Sequence, residues 1–206
     1  MKNILLLFVL ILFSCNNKKE NLIRQKESVN IIQTLIDQKG LEMVKDFPTE
    51  SELPICLNLK KIIVNNKCFV ETKNNFKIIT VKLPENTFTN KGEVCIEKIY
   101  KSRPIEEIFF LKKDSLDILN QNETFKTFKI PKNIITHFKT VEKTKNLKTT
   151  KKYIQFSIPI FSSDNTKAYI EFDHYSNNEN SYGKSIYLEK IDNKWEIKLI
   201  EKNWAI

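Results

Sequence analysis

Few residues in this chain are of types that do chemistry, and their spacing sets the first constraint on function. There are two histidines, His137 and His174, and four cysteines, Cys15, Cys56, Cys68 and Cys95. Two histidines exclude a three-histidine zinc site, and HExxH is absent. No CxxC occurs, so neither a thioredoxin-type motif nor a zinc ribbon is encoded. Gly40, Gly92 and Gly183 are the only glycines, and they form no phosphate-cradling, dinucleotide or nucleophile-elbow pattern. Glu106-Glu107 and Asp114 with Asp117 are carboxylate pairs of a kind that general acid–base catalysis uses. Solvated surface is their ordinary role, and Asp114 with Asp117 can cap a short helix. His174 follows Asp173, but neighbours on a strand point to opposite faces. His174 is expected beside Ile170 and Phe172, partly buried or at a strand end. His137 suits the end of a short helix, where an imidazolium complements the dipole. Cys95 with either histidine would make a nucleophile–base pair, yet nothing in the sequence marks a cysteine as activated. Trp195, Trp204, Tyr169, Tyr175, Tyr182 and Tyr187 offer ring faces for a glycan. Core and cross-strand packing is their plainer use. No catalytic residue, cofactor or metal site is expected.

Cys15 is the exception. Lys2 is followed by the unbroken apolar run Ile4 to Phe13, then by Ser14 and Cys15. At ~1.5 Å per residue that run spans about 15 Å, half of a hydrocarbon core of roughly 30 Å. It suits the apolar region of a signal peptide and is too short for a stable transmembrane helix. Leu12-Phe13-Ser14-Cys15 resembles the lipobox of bacterial lipoproteins: a branched apolar residue, a small residue, then the cysteine. Phe13 stands where a smaller residue is commoner. The resemblance implies cleavage after Ser14, a diacylglycerol on the Cys15 sulfur and acylation, for instance by palmitate, of the new amine. Each buried methylene contributes about 0.8 kcal/mol, so several chains anchor a protein permanently. No later apolar run is long enough to span a membrane. The expected organisation is a signal peptide over 1–14, a lipidated tether over 15–20 and a single domain over 21–206. Asn16 after the lipid site is not an inner-membrane retention aspartate, which favours the outer membrane.

About 190 mature residues suffice for one domain with a real core, and aromatics at 11% argue against disorder. The net charge of +9 invites a nucleic-acid reading. Of the 34 basic residues only Arg24 and Arg103 are arginine, whereas bidentate recognition of phosphate and guanine favours Arg. Lys, Asn and Ile dominate the chain and Ala is nearly absent, a skew that codon bias toward A and T produces everywhere at once. The lysines are therefore expected on solvated faces, with no nucleic-acid partner. With Cys15 lipidated, Cys56, Cys68 and Cys95 remain, an odd number in an oxidising compartment.

The apolar pattern predicts a helix over residues 20–39, with Leu22-Ile23, Ile31-Ile32, Leu35 and Ile36 at helical spacing. Strands are predicted at Leu57 to Val64, Cys68 to Glu71, Phe76 to Leu83, Glu93 to Tyr100, Ile105 to Leu111 and Phe125 to Ile130. In a meander of the second, third and fourth of these, Cys68 and Cys95 lie two strand spacings apart, ~9.5 Å. That exceeds the ~7 Å reach of a disulfide. A short helix is predicted from Asp114 to about Gln121, a second from Pro131 through His137 or Phe138, and a polar loop over 139–152. The last third is clearest: Tyr153 to Ile160, Lys167 to Tyr175, Lys184 to Ile191 and Lys194 to Lys202 are predicted strands of an antiparallel meander over 153–202. Alternation of Ala168, Ile170 and Phe172 with Tyr169, Glu171 and Asp173 predicts one covered and one wet face. Trp195, Ile197 and Leu199 follow the same pattern on one covered face, with Ile191 paired to Lys194 and Tyr187 opposite Lys198. The fold class is α+β: a mostly antiparallel sheet with one long N-terminal helix and one or two short helices.

Ser157-Ile158-Pro159-Ile160-Phe161-Ser162, Asp164, Ala168-Tyr169-Ile170, Gly183, Tyr187 to Lys190 and Trp195-Glu196-Ile197 resemble the C-terminal sheet of small uncharacterised lipoproteins of the Bacteroidetes. Leu111 through Phe128 resembles the helix-and-strand unit that precedes it. The resemblance covers about fifty residues of the sheet and implies no activity. The function expected is that of a lipid-anchored cell-envelope protein acting by binding or scaffolding, with an envelope protein or a glycan as partner. The alternatives are an envelope hydrolase with a carboxylate or cysteine centre, and an immunity lipoprotein that neutralises a toxin.

Overall fold

The computed structural model describes residues 20–39, 53–65, 93–100, 108–124, 127–135, 138–142, 152–176 and 181–205. The expected strands at Cys68 to Glu71 and Phe76 to Leu83 lie outside the described residues, as does Cys15. The fold is α+β. A helix, α1, covers 20–34 and continues as a π-helical turn over Leu35–Lys39. A seven-stranded sheet holds β4 (Thr140–Val141), β1 (Ile55–Cys56), β5 (Lys152–Phe156), β7 (Lys167–Ser176), β8 (Tyr182–Ile191) and β9 (Lys194–Ala205) in that spatial order, with β6 (Ile160–Phe161) also paired to β7. β1 runs parallel to β4 and β5, and every other pairing in this sheet is antiparallel. β2 (Ile63–Asn65) and β3 (Glu93–Cys95) form a separate parallel ribbon. Two short helices, α2 (Ile96–Tyr100) and α3 (Ser115–Thr124), complete the frame.

The last third matches its pattern closely because its turns are locally encoded. Asp192 and Asn193 both have positive φ, 47° and 63°, the backbone of a tight hairpin turn whose twist fits antiparallel strands. The hairpin pairs Ile191 with Lys194, as expected. A register shift between Tyr187 and Leu188 then places Tyr187 opposite Leu199 rather than Lys198. A bulge adds one residue to one strand and reverses which face its later side chains meet. Trp195 and Ile197 accordingly pack in the core beneath α1, whereas Leu199 packs on the other side of the sheet.

Elsewhere long-range pairing overrides local pattern. The predicted strand over 57–64 is broken into bridges at Asn58 and Lys60 and the start of β2, while β1 lies just ahead of it. The strand expected over 93–100 stops at Cys95 and turns into α2. In place of the strand over 105–111, residues 108–111 hold one bridging residue, Ile108, ahead of a 3-10 turn at Lys112–Asp114. The described part of the strand expected over 125–130 is a single bridge at Lys129. Of the second short helix, the described residues 131–135 hold a 3-10 turn, Lys132–Ile134, after Pro131. The predicted loop contributes β4. Tyr153 to Ile160 is interrupted at Ser157–Pro159, splitting β5 from β6. The first two strands of the meander expected around Cys95 lie outside the described residues; among those described, β2 pairs directly with β3, setting Asn65 opposite Cys95. Cys95 is disulfide-bonded, and its partner lies outside the described residues. Cys56 is a buried thiol.

Both faces of the sheet are covered. On one, Ile31, Ile32, Leu35 and Ile36 of α1 pack against Ile170, Phe172, Ile186, Leu188 and Trp195. On the other, β2, β3, α2 and α3 supply Ile62, Val64, Val94, Ile99 and Ile118 against Tyr169 and Tyr187. The face expected to be wet is therefore buried: Glu171 is 6% and Asp173 1% exposed. Polar side chains cross-link the layers. Glu27 of α1 accepts from Trp195 Nε1 and from Lys190 Nζ, each at 2.8 Å. Gln121 of α3 pairs its amide with the backbone of Phe161, donating at 2.7 Å and accepting at 2.8 Å. Asp114 does not form a cap with Asp117. Its carboxylate accepts from the Leu111 amide at 2.9 Å and from the Ser163 hydroxyl at 2.6 Å, tying the turn before α3 to the β6–β7 loop.

Candidate functional site

The chemistry-bearing side chains that the fold does gather lie on the second face of β7. Strand alternation puts Tyr169, Glu171, Asp173 and Tyr175 on that face. The register sets Ser185 beside Glu171, Gly183 beside Asp173, and Gln155 on the opposite flank of Asp173. Lys60 enters from the segment after β1, held by backbone bonds on both sides: its amide donates to Phe156 O and its carbonyl accepts from Ile158 N, each at 2.8 Å. From there Nζ reaches Asp173 Oδ2 at 2.5 Å and Glu171 Oε2 at 2.9 Å. Tyr169 Oη donates to Glu171 Oε1 at 3.0 Å and shares a 2.8 Å bond with Ser185 Oγ. Tyr175 Oη donates to Asp173 Oδ2 at 3.1 Å. Ser157 Oγ accepts from the Glu171 amide at 2.7 Å. Gln155 Nε2 donates to Asn58 O at 2.9 Å. Asp173 Oδ1 is buried with no hydrogen-bond partner.

Burial disfavours the charged form of Lys60, but the Glu171 and Asp173 carboxylates outweigh it and raise the ammonium's pKa above its ordinary value. Burial, with the Glu171 charge beside it, pushes the Tyr169 phenol well up. Burial and then the Asp173 charge do the same to Tyr175. Both phenols therefore stay protonated and act as donors. The result is one ammonium between two carboxylates, fenced by phenols and hydroxyls and largely shielded from solvent. Such a cluster specifies how β5, β7 and the Lys60 segment meet. Carboxylates this deeply buried are out of reach of a substrate in this conformation.

The residues singled out in the sequence are not brought together. His174 lies on the other face, fully buried and stacked on Tyr182 with centroids 4.9 Å apart. That is the face expected for it, beside Ile170 and Phe172, and it separates the imidazole from Asp173. His137, Glu106, Glu107 and Cys68 lie outside the described residues. Tyr169 and Tyr187 form a cross-strand T-shaped pair at 5.2 Å in the core, and Tyr153 stacks on Tyr175 at 4.7 Å. Trp195 is 3% exposed. Tyr169, Tyr187 and Trp195 are core packing, whereas the Tyr153–Tyr175 stack is half-buried. Among the described residues, no group of three or more His, Cys, Asp or Glu is placed to hold a metal ion, and no helix is long and apolar enough to cross a membrane. Lys60 carried no sequence signal that set it apart from the other lysines. Its position depends on a bridge to Ser157, 97 residues further along the chain.

The fold and the cluster together define an α+β domain with a sealed polar seam. Comparison with family models, with curated proteins and with solved structures found no match.

Proposed function

We propose that this chain is a cell-envelope lipoprotein, anchored through lipid on Cys15, whose domain binds or scaffolds rather than catalyses. The observation that carries the reading is the apolar run ending in Leu12-Phe13-Ser14-Cys15. Residue 20 already lies in helix α1, and five residue steps span at most about 18 Å, so the lipid would hang directly beneath the folded domain. The sealing of Glu171 and Asp173 around Lys60, away from His174, favours a binding role over a carboxylate-centred hydrolase. The expected location is the outer membrane, and the expected partner is an envelope protein or a glycan.

The test is Cys15→Ser. The parent should fractionate with membranes and incorporate labelled palmitate, and the variant should do neither. A Cys15→Ser protein that loses its first fourteen residues and still remains on the membrane would overturn lipidation at this residue.

A further inference from the structure

The first turn of α1 breaks the pattern of the rest of that helix. From Ser28 onward the core side carries Ser28, Ile31, Ile32, Leu35 and Ile36, all buried. In the first turn the core side carries Arg24, only 5% exposed, its guanidinium on Glu20 at 2.6 Å and its Nε donating to Asn165 Oδ1 at 3.3 Å. The apolar residues expected there, Leu22 and Ile23, are turned out instead, 60% and 43% exposed. At 100° per residue, Leu22, Lys26 and Ile23 share an arc of about 100° directly opposite the buried stripe. Further along that outer side stand exposed Asn30 and Asp37. The outward apolar surface of α1 is therefore confined to the turn nearest residue 15. Among the described residues, the other large exposed apolar residues, such as Ile63, Ile108 and Leu116, are not consecutive in sequence, and scattered single residues are ordinary surface.

A sequence that buries an arginine and exposes two adjacent large aliphatics reverses the rule for a surface helix, and such reversals mark functional positions. We propose that Leu22 and Ile23, with Lys26 between them on the same arc, form a membrane-contact surface that seats the domain on the bilayer to which Cys15 is anchored. The proposal rests on the anchor reading above. Its occupant follows from chain length: Leu22 is seven residues from Cys15, so the tether holds this turn within about 25 Å of the acylated sulfur. A short tether gives the second contact a high effective concentration, so two aliphatic side chains suffice where an unanchored pair would not. Leucine and isoleucine enter the headgroup boundary, and the Lys26 ammonium reaches the phosphates. The sheet end that carries Asn165 and Lys190, joined to α1 through Arg24 and Glu27, then faces the membrane. Ser176 and Lys152, nine strand steps from Lys167, lie ~30 Å further off.

The full chain, expressed and processed in cells and then reconstituted into vesicles containing brominated lipid, tests this. Leu22→Trp reports contact and Lys152→Trp is the distal control, each read as quenching beyond the parent's own tryptophans. The mass of the N-terminal peptide reports lipid on Cys15. We expect lipid on Cys15 and at least threefold stronger quenching at position 22 than at 152. We also expect Leu22→Ser/Ile23→Ser to stay anchored with an unchanged melting midpoint, while tryptic cleavage at Lys26 on vesicles accelerates about tenfold. Lipidated protein with equal quenching at the two positions, or with unaltered cleavage in the double variant, overturns the docking surface and leaves the anchor standing. Protein without lipid on Cys15 overturns the anchor, and the docking surface falls with it.

Discussion

Lys60 Nζ lies 2.5 Å from Asp173 Oδ2, joining two residues 113 positions apart in the chain. The contact closes the junction of β5, β7 and the segment that links β1 to β2. Glu171 Oε2 completes the bridge at 2.9 Å.

Removing the ammonium strands two carboxylates in a water-poor interior. Breaking a buried ion pair from one side typically costs about 3–5 kcal/mol. Lys60→Met should therefore lower the urea midpoint severely. Adding Glu171→Gln and Asp173→Asn should recover much of the loss, because the desolvated charges go with them. A triple variant no more stable than Lys60→Met would mean that the lysine acts through packing alone.

The same cluster predicts an alkaline limit. The Lys60 pKa is raised on folding, so its contribution is fully present below the ordinary value of 10.5 and is lost as pH rises through the higher folded value. Relative to Lys60→Met with Glu171→Gln and Asp173→Asn, the parent should lose its advantage only above pH 10.5. Thermal midpoints from pH 7 to 11.5 check this.

Asp164 supplies the acid counterpart. The Ser162 and then the Thr166 hydroxyl donate to its carboxylate and lower its pKa from 3.8 to about 2. A depressed carboxylate stabilises above its unfolded pKa and loses that contribution as pH falls through the folded one. Asp164→Asn should melt lower than the parent at pH 6, and the gap should close between about pH 4 and pH 2. The group is exposed, so the effect should be small.

Trp195 is buried against Phe161, with centroids 6.0 Å apart, and donates to Glu27. Loss of a buried Trp costs ~3–5 kcal/mol, so Trp195→Ala should melt far lower or fail to accumulate. Trp195→Phe keeps most of the packing but leaves Glu27 with one donor fewer, a loss of about 1–3 kcal/mol. Equal stability of the parent and Trp195→Ala would contradict the packing described.

Cys95 should be recovered in a cross-linked peptide from a non-reduced digest. Because Asn65 sits opposite Cys95, Cys68, three residues further along, is the expected partner, contrary to the meander expectation. A Cys15–Cys95 peptide would mean that the Cys15 sulfur carries no lipid, and mass spectrometry separates the two.

What the sequence by itself determined is local. The hairpin at Asp192-Asn193, the three long C-terminal strands, the core side of α1 from Ile31 onward and the α+β class were all legible, because turn chemistry and periodicity act between near neighbours. The candidate site was not legible. Glu171 and Asp173 alternate with apolar residues as a wet face would, and only the Lys60 segment brought against them, beside the elements packed on Tyr169 and Tyr187, converts that face into a buried seam. Lys60 became its counter-charge through a bridge to Ser157, a pairing with no local signature. The bulge near Leu188 sent Leu199 to the face opposite Trp195, although both stand at the same parity in the sequence. Leu22 and Ile23 are a different case: they stand nine residues before Ile31 and Ile32, about 180° from the buried stripe, so helical periodicity itself turns them outward. For the seam and the bulge the deciding interaction joins residues far apart in the chain, and periodicity alone does not contain it.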